Sequence, residues 1–142
     1  SGFMVQAWEN GEDVLTKEPI EAATVADSIS AGLPRDRIKA MAAVKETMGA
    51  YISVSDDEIL SAIPVLARGC GVFGEPAGAA SYAGLVKAVE HGLVDLDERI
   101  VVLNTGNGLK DIQSAMKSVE LAGTKPMYVE PYLADVQRVL SD

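Results

Sequence analysis

The apolar positions fall into two periods, one of helices and one of short extended runs. Phe3, Val5, Ala7 and Trp8 have helical spacing, and Gly11 follows as a stop, so a helix is predicted over 3–10. Residues 12–21 are polar, carry Pro19 and read as a loop. The small, weakly periodic run 22–32 predicts a short helix ending at Gly32. Pro34 and Asp36 then open a helix whose inner side is Ile38, Met41, Ala42 and Lys45, running to about Met48 and ending at Gly49. Tyr51-Ile52-Ser53-Val54 reads as a strand. Ser55, with Glu58 three residues on, is a capping box for a helix carrying Ile59, Leu60, Ile63, Leu66 and Ala67 on its inner side. Pro64 inside that helix predicts a kink or a local break, and Gly69 and Gly71 close it. Pro76 suits the first turn of the next helix, which His91-Gly92 caps. Ala and Gly are so dense over 77–84 that this face is expected against another backbone or a ligand.

The run Ile100-Val101-Val102-Leu103 predicts a buried parallel strand, and its carboxyl end opens into Asn104-Thr105-Gly106-Asn107-Gly108. In open α/β sheets ligands lie outside the carboxyl ends of strands, which makes this turn the first candidate site. Thr105 offers a hydroxyl there, and Gly106 and Gly108 leave the backbone bare to a flat or anionic ligand. A helix with Ile112, Ala115, Met116 and Val119 follows. Residues 126–130 suggest a short extended segment, and Pro131 opens a last helix with Leu133, Val136, Val139 and Leu140. The pattern predicts an α/β chain, helix-rich with a small sheet.

Composition narrows the function classes. Twelve basic and twenty-one acidic residues give a net charge of −9, which argues against nucleic acid and anionic lipid as partners. No apolar run approaches the ~18 residues of a membrane span. The single cysteine, Cys70, allows no disulfide within the chain, fits a cytoplasmic setting, and reads as a small buried hydrophobe. The lone His91 reads as a helix-end or surface residue, and zinc-type sites lack ligands. Residue 1 is Ser, so the chain is expected to be a piece or a processed product of something longer.

Known phosphate loops do not account for the glycine turn. Residues 106–111 are not G-x-x-x-x-G-K-[ST] and lack the third glycine of G-x-G-x-x-G. Four segments taken together carry a more specific likeness. Thr24-Val25-Ala26-Asp27-Ser28-Ile29, Val54-Ser55-Asp56-Asp57-Glu58-Ile59, the Glu75-Pro76-Ala77-Gly78-Ala79-Ala80 helix start and the Thr105-Gly106-Asn107-Gly108-Leu109-Lys110-Asp111 turn occur in that order. Together they resemble the carboxy-terminal part of the threonine synthases, within the tryptophan-synthase-β family of pyridoxal-phosphate enzymes. Asn107 stands where many threonine synthases have His.

The resemblance implies that residues 1–142 are a partial three-layer αβα, Rossmann-like piece of the large domain of a fold type II enzyme. It implies a pyridoxal 5'-phosphate cofactor, with Thr105 at the pyridine nitrogen, Gly106 beside it, and Glu75 as a carboxylate near the ring. Glu75 at a helix start equally suits the helix dipole. The implied reaction of the intact enzyme is conversion of O-phosphohomoserine and water to threonine and phosphate. A threonine or serine dehydratase and a cysteate-synthase-like enzyme are alternatives within the family, and a non-catalytic binding module is an alternative outside it. The family's Schiff-base lysine and phosphate loop belong to its amino-terminal half, and nothing among these residues resembles either. Lys110 matches the lysine of the turn and not the covalent one. The implied partners are that amino-terminal half, a small amino-acid substrate and a second copy of the enzyme.

Overall fold

The computed structural model describes residues 2–95 and 97–141. Six α-helices and two 3-10 turns make up its regular structure. They are α1 (Phe3–Asn10), a turn at Asp27–Ile29, α2 (Arg37–Glu46), α3 (Asp56–Cys70), α4 (Pro76–Glu90), a turn at Gly108–Lys110, α5 (Ile112–Leu121) and α6 (Leu133–Ser141).

The helix ends follow local chemistry. Gly11 and Gly71 take left-handed backbone, φ 65° and 71°, as C-caps of α1 and α3. The capping box at α3 is complete: Glu58 N–H donates to the Ser55 hydroxyl, and Ser55 N–H donates to the Glu58 carboxylate. Pro76 is at the start of α4, and His91 is its exposed C-cap, as expected. Asp111 caps α5, its carboxylate accepting from Ser114 N–H at 3.0 Å.

α3 lies on α4, and Ile59, Leu60, Ile63, Ala79 and Ala83 form the centre of the main core. Alanines on α4 let the two helices approach closely, so Leu60 and Ala79 are both fully buried. Burial of a side chain such as Leu60 stabilises by about 1.5–3 kcal/mol. A second cluster joins α1 and α2 through Phe3, Ala7, Val14 and Met41, with Trp8 edge-on to Tyr51 at 5.8 Å. Arg37 ties α2 to the preceding loop by donating to Val14 O at 2.7 Å and to Pro34 O at 3.2 Å.

The sheet is where expectation and structure part. Among the described residues there is one isolated antiparallel bridge, Gly74 with Asn107, and no ladder. The run 100–103, expected as a buried parallel strand, is irregular; Val101 is 85% and Leu103 72% exposed. Tyr51-Ile52-Ser53-Val54 is likewise irregular. A parallel strand has no local hydrogen bonds of its own, so its apolar pattern yields a strand only where neighbours pair with it. The helix-rich part of the expectation holds and the small sheet does not form within these residues.

Smaller corrections have local causes. The run 22–32 contains only the turn at Asp27–Ile29, because the Thr24 hydroxyl and Val25 N–H donate to the Asp56 carboxylate and draw the segment across the start of α3. The second helix stops at Glu46, and Met48 takes left-handed backbone at φ 54°. Helix α3 runs through Pro64 without a break, and Ala62 and Pro64 are buried where Ala67 was expected. Cys70 is exposed at the last turn of α3, its thiol donating to Leu66 O at 3.2 Å, so it is not the buried hydrophobe expected. The inner side of α5 is Ala115 and Ser118; Ile112 and Met116 remain half exposed. Residues 126–130 are irregular and exposed, and α6 begins two residues after Pro131 with no buried side chain.

Candidate functional site

The candidate site is the contact between the Thr105 turn and the start of α4. Two backbone hydrogen bonds join them: Glu75 N–H donates to Gly106 O at 3.0 Å, and Gly108 N–H donates to Phe73 O at 2.9 Å. The two segments lie so close that glycine is required on both. A Cβ on Gly106 would fall 1.9 Å from Glu75 Oε1, and one on Gly108 would fall 2.3 Å from the Phe73 ring. Opposite them, Cβ atoms on Gly74 and Gly78 would fall 2.3 and 2.4 Å from Asn104 Oδ1. Of the small-residue run 77–84, expected against another backbone or a ligand, Gly78 meets one, its Cβ position lying 3.2 Å from Gly106 O, while Gly84 meets nothing.

Glu75 is 4% exposed, the one buried carboxylate among the described residues. Lys110 Nζ donates to its Oε1 at 3.0 Å and lies 3.0 Å from Oε2. Asn104 Nδ2 donates to Gly106 O at 3.2 Å, while Asn104 Oδ1 is buried without a partner. Ser81, one turn into α4, donates to Leu103 O at 2.9 Å. Asn107 accepts from Leu109 N–H at 2.9 Å and so caps the short turn that carries Lys110.

The structure brings Glu75 and Gly106 into contact and places Thr105 beside them, opening the other way. Thr105 is exposed, its hydroxyl has no hydrogen-bond partner among the described residues, and it borders a cleft of about 610 Å³. Ala77, Ala80, Leu103 and Ile59 give that cleft apolar walls, with Ser81 and Thr24 as hydroxyls. Glu75 borders a separate hollow of about 290 Å³ with Asp27, Ser28, Lys110 and Asp111. The Asp111 carboxylate there is held below the usual carboxylate range by the N–H of Ser114.

This set fits one edge of a pyridoxal ring. A free hydroxyl stands at the rim of an apolar cleft whose wall is small enough for a flat group. No lysine or arginine borders that cleft among the described residues. Lys110 is paired with Glu75.

Sequence reasoning singled out Thr105, Gly106 and Glu75, and missed Asn104 and the partnership of Lys110 with Glu75. Thirty-five residues separate that pair, and no local pattern announces it. The glycines at 74, 78, 106 and 108 were the available signal, since paired bare positions mark paired close approaches.

The family model described as pyridoxal-phosphate dependent enzyme matches residues 1–106. The chain belongs to that family. Within it, the chain is similar to threonine synthases. It is 40% identical over 119 residues to that of Methanocaldococcus jannaschii, covering 84% of this chain and 28% of the relative. To that of Mycobacterium tuberculosis it is 41% identical over 115 residues, covering 80% and 31%. To that of Methanosarcina acetivorans it is 42% identical over 117 residues, covering 82% and 29%. The chain therefore spans less than a third of the length of these relatives. No helix among the described residues is long and apolar enough to cross a membrane.

Proposed function

We propose that residues 1–142 are the carboxy-terminal part of the large domain of a threonine-synthase-type enzyme, converting O-phosphohomoserine and water to threonine and phosphate. The observation that carries this reading is the partnerless Thr105 hydroxyl at the rim of an alanine-walled cleft, on a turn clamped beneath Glu75. The names of the relatives support the reaction, and the hydroxyl at the cleft rim supports a place there for one edge of the cofactor.

Pyridoxal phosphate, when bound, draws off the electron pair released as bonds at the amino-acid carbons change. Thr105 would meet the pyridine nitrogen with a neutral hydroxyl, which neither adds charge nor forces a proton onto the ring. Gly106 would keep the backbone beside it bare, and Glu75 would support that backbone from the side away from the cleft. The lysine and the phosphate loop come from the amino-terminal portion of the enzyme. That portion also supplies strand neighbours for residues 51–54 and 100–103, completing the three-layer α/β architecture and covering Val101 and Leu103. The intact protein works as a homodimer in the cytoplasm.

The test is expression of the whole gene with its upstream coding region, loading with pyridoxal phosphate, and assay of phosphate release from O-phosphohomoserine. Release of phosphate with formation of threonine is expected. Turnover of a different hydroxy or phospho amino acid without that release would overturn the substrate and leave the family. A start codon immediately before Ser1, with no coding sequence upstream, would overturn the reading as part of a longer enzyme.

A further inference from the structure

We propose that Lys110 is a positioning residue for Thr105, acting through Glu75. The proposal rests on Thr105 being the ring-nitrogen partner and adds a residue to that site. The Thr105 side chain touches no partner that would orient it, so its place is set by the backbone on either side. Three of the holds on that backbone come from Phe73 and Glu75, beside the hydrogen bonds of Asn104 and Ser81. Gly106 O accepts from Glu75 N–H, Gly108 N–H donates to Phe73 O, and the Gly106 Cα lies directly against the Glu75 carboxylate. The third hold depends on where the carboxylate stands.

Glu75 has no other side-chain partner among the described residues: Lys110 alone faces both of its oxygens, at 3.0 Å each. Lys110 follows the turn by four residues past Gly106 and returns across it to α4, so turn and ion pair form a closed loop around Gly106. The lysine side chain is 60% exposed, and the charge attraction is correspondingly screened. Its contribution is therefore one of position. Without it the buried carboxylate keeps no side-chain partner, and it is expected to shift toward water in the 290 Å³ hollow that it lines with Lys110, away from Gly106. The Thr105–Gly106 peptide then loses the surface it rests on.

The test uses the whole enzyme loaded with pyridoxal phosphate, with amide exchange as a second readout. Lys110→Met is expected to move the absorption band of the bound cofactor in the same direction as Thr105→Val. It is also expected to lower kcat about tenfold or more, the scale of a sub-ångström misplacement, with KM changed less. Lys110→Arg, which keeps a charged donor, should restore both. In the whole enzyme, amide exchange at Glu75 and Gly108 should accelerate in Lys110→Met. If Lys110→Met fails to fold, Glu75→Gln combined with Lys110→Met leaves no charge buried alone and is expected to shift the band as Thr105→Val does. A band moved by Thr105→Val but not by either Lys110 variant would overturn the positioning role and leave the reading of Thr105 intact. A band unmoved by Thr105→Val would overturn that reading, and the inference with it. Unchanged exchange at both amides would also overturn the inference.

Discussion

Gly106→Ala isolates the closest approach in the candidate site. Gly106 is not among the glycines with positive φ, so alanine can adopt its backbone conformation and the effect is steric. The added methyl would stand 1.9 Å from Oε1, 2.3 Å from Cδ and 2.8 Å from Cγ of Glu75. Three overlapping atoms of one side chain cannot be relieved by rotating its tip, so the carboxylate must leave. Overpacking of this kind costs about 1–3 kcal/mol. Departure also breaks the charge-assisted bond to Lys110, which for a partner that is largely in water is taken at about 1 kcal/mol. The sum is a loss of about 2–4 kcal/mol, or roughly 5–15 °C in Tm for a chain of this length. Thermal and urea unfolding of the purified chain measure it. Glu75→Ala should be strongly non-additive with Gly106→Ala, because it removes the atoms the methyl strikes. A Tm within about 1 °C of the parent for Gly106→Ala would refute the packing of Glu75 on Gly106, since one degree corresponds to only a few tenths of a kcal/mol.

Three further outcomes follow from the same coordinates. Gly84, inside α4 with no atom near its would-be Cβ, should stabilise the chain by about 0.5–1 kcal/mol as alanine, whereas Gly71→Ala, at φ 71°, should cost about 1 kcal/mol; both are read by urea unfolding. The Glu58 carboxyl is lowered to about 2 by the Ser55 N–H and then by Lys87, so its folded pKa lies below the unfolded one; its contribution is complete above roughly pH 4.5 and is lost as pH falls toward 2. The Tm difference between the chain and Glu58→Gln should therefore be constant above that range and shrink below it, and a difference independent of pH would refute the assignment. In the whole enzyme, Thr105→Val should lower turnover more than cofactor content, measured by absorbance against protein concentration, and unchanged turnover would remove Thr105 from the ring.

What could be read in the sequence divides by the distance over which each feature is decided. The stop at Gly11, the capping box Ser55–Glu58, Pro76 at a first turn and the His91 cap were legible because each is settled within one helical turn. The run 100–103 misled because its apolar residues state that the segment wants burial without stating against what. Its exposure here follows from the lack of strand neighbours. Ala67 and Cys70 follow the buried Leu60 and Ile63 by seven residues and so share their face of α3, yet both are exposed near its carboxyl end, where the core no longer covers that face. Thr105 and Gly106 were candidates from the strand-end turn alone, whereas Glu75 joined them only through the order of four segments. The pairing of Lys110 with Glu75 was passed over because thirty-five residues separate them, and Asn104 because the glycines it packs on, Gly74 and Gly78, lie far along the chain.

The site turn is positioned without a sheet, and this bears on how the whole is built. If Thr105 depended on strand pairing of residues 100–103, the turn would have no fixed place where that pairing is missing. Instead, bare glycines on both sides let Phe73-Gly74-Glu75 and Gly106-Asn107-Gly108 meet through two backbone bonds, and α4 is itself packed on α3. The chain of support runs from the Leu60 and Ile63 core to the alanine face of α4, then to Glu75, then to Gly106. Strand pairing by another part of the enzyme would cover Val101 and Leu103 and close the cleft beside Thr105. The edge that Thr105 presents is already formed by the helices, which makes this segment a preorganised wall against which the remainder of the site can assemble.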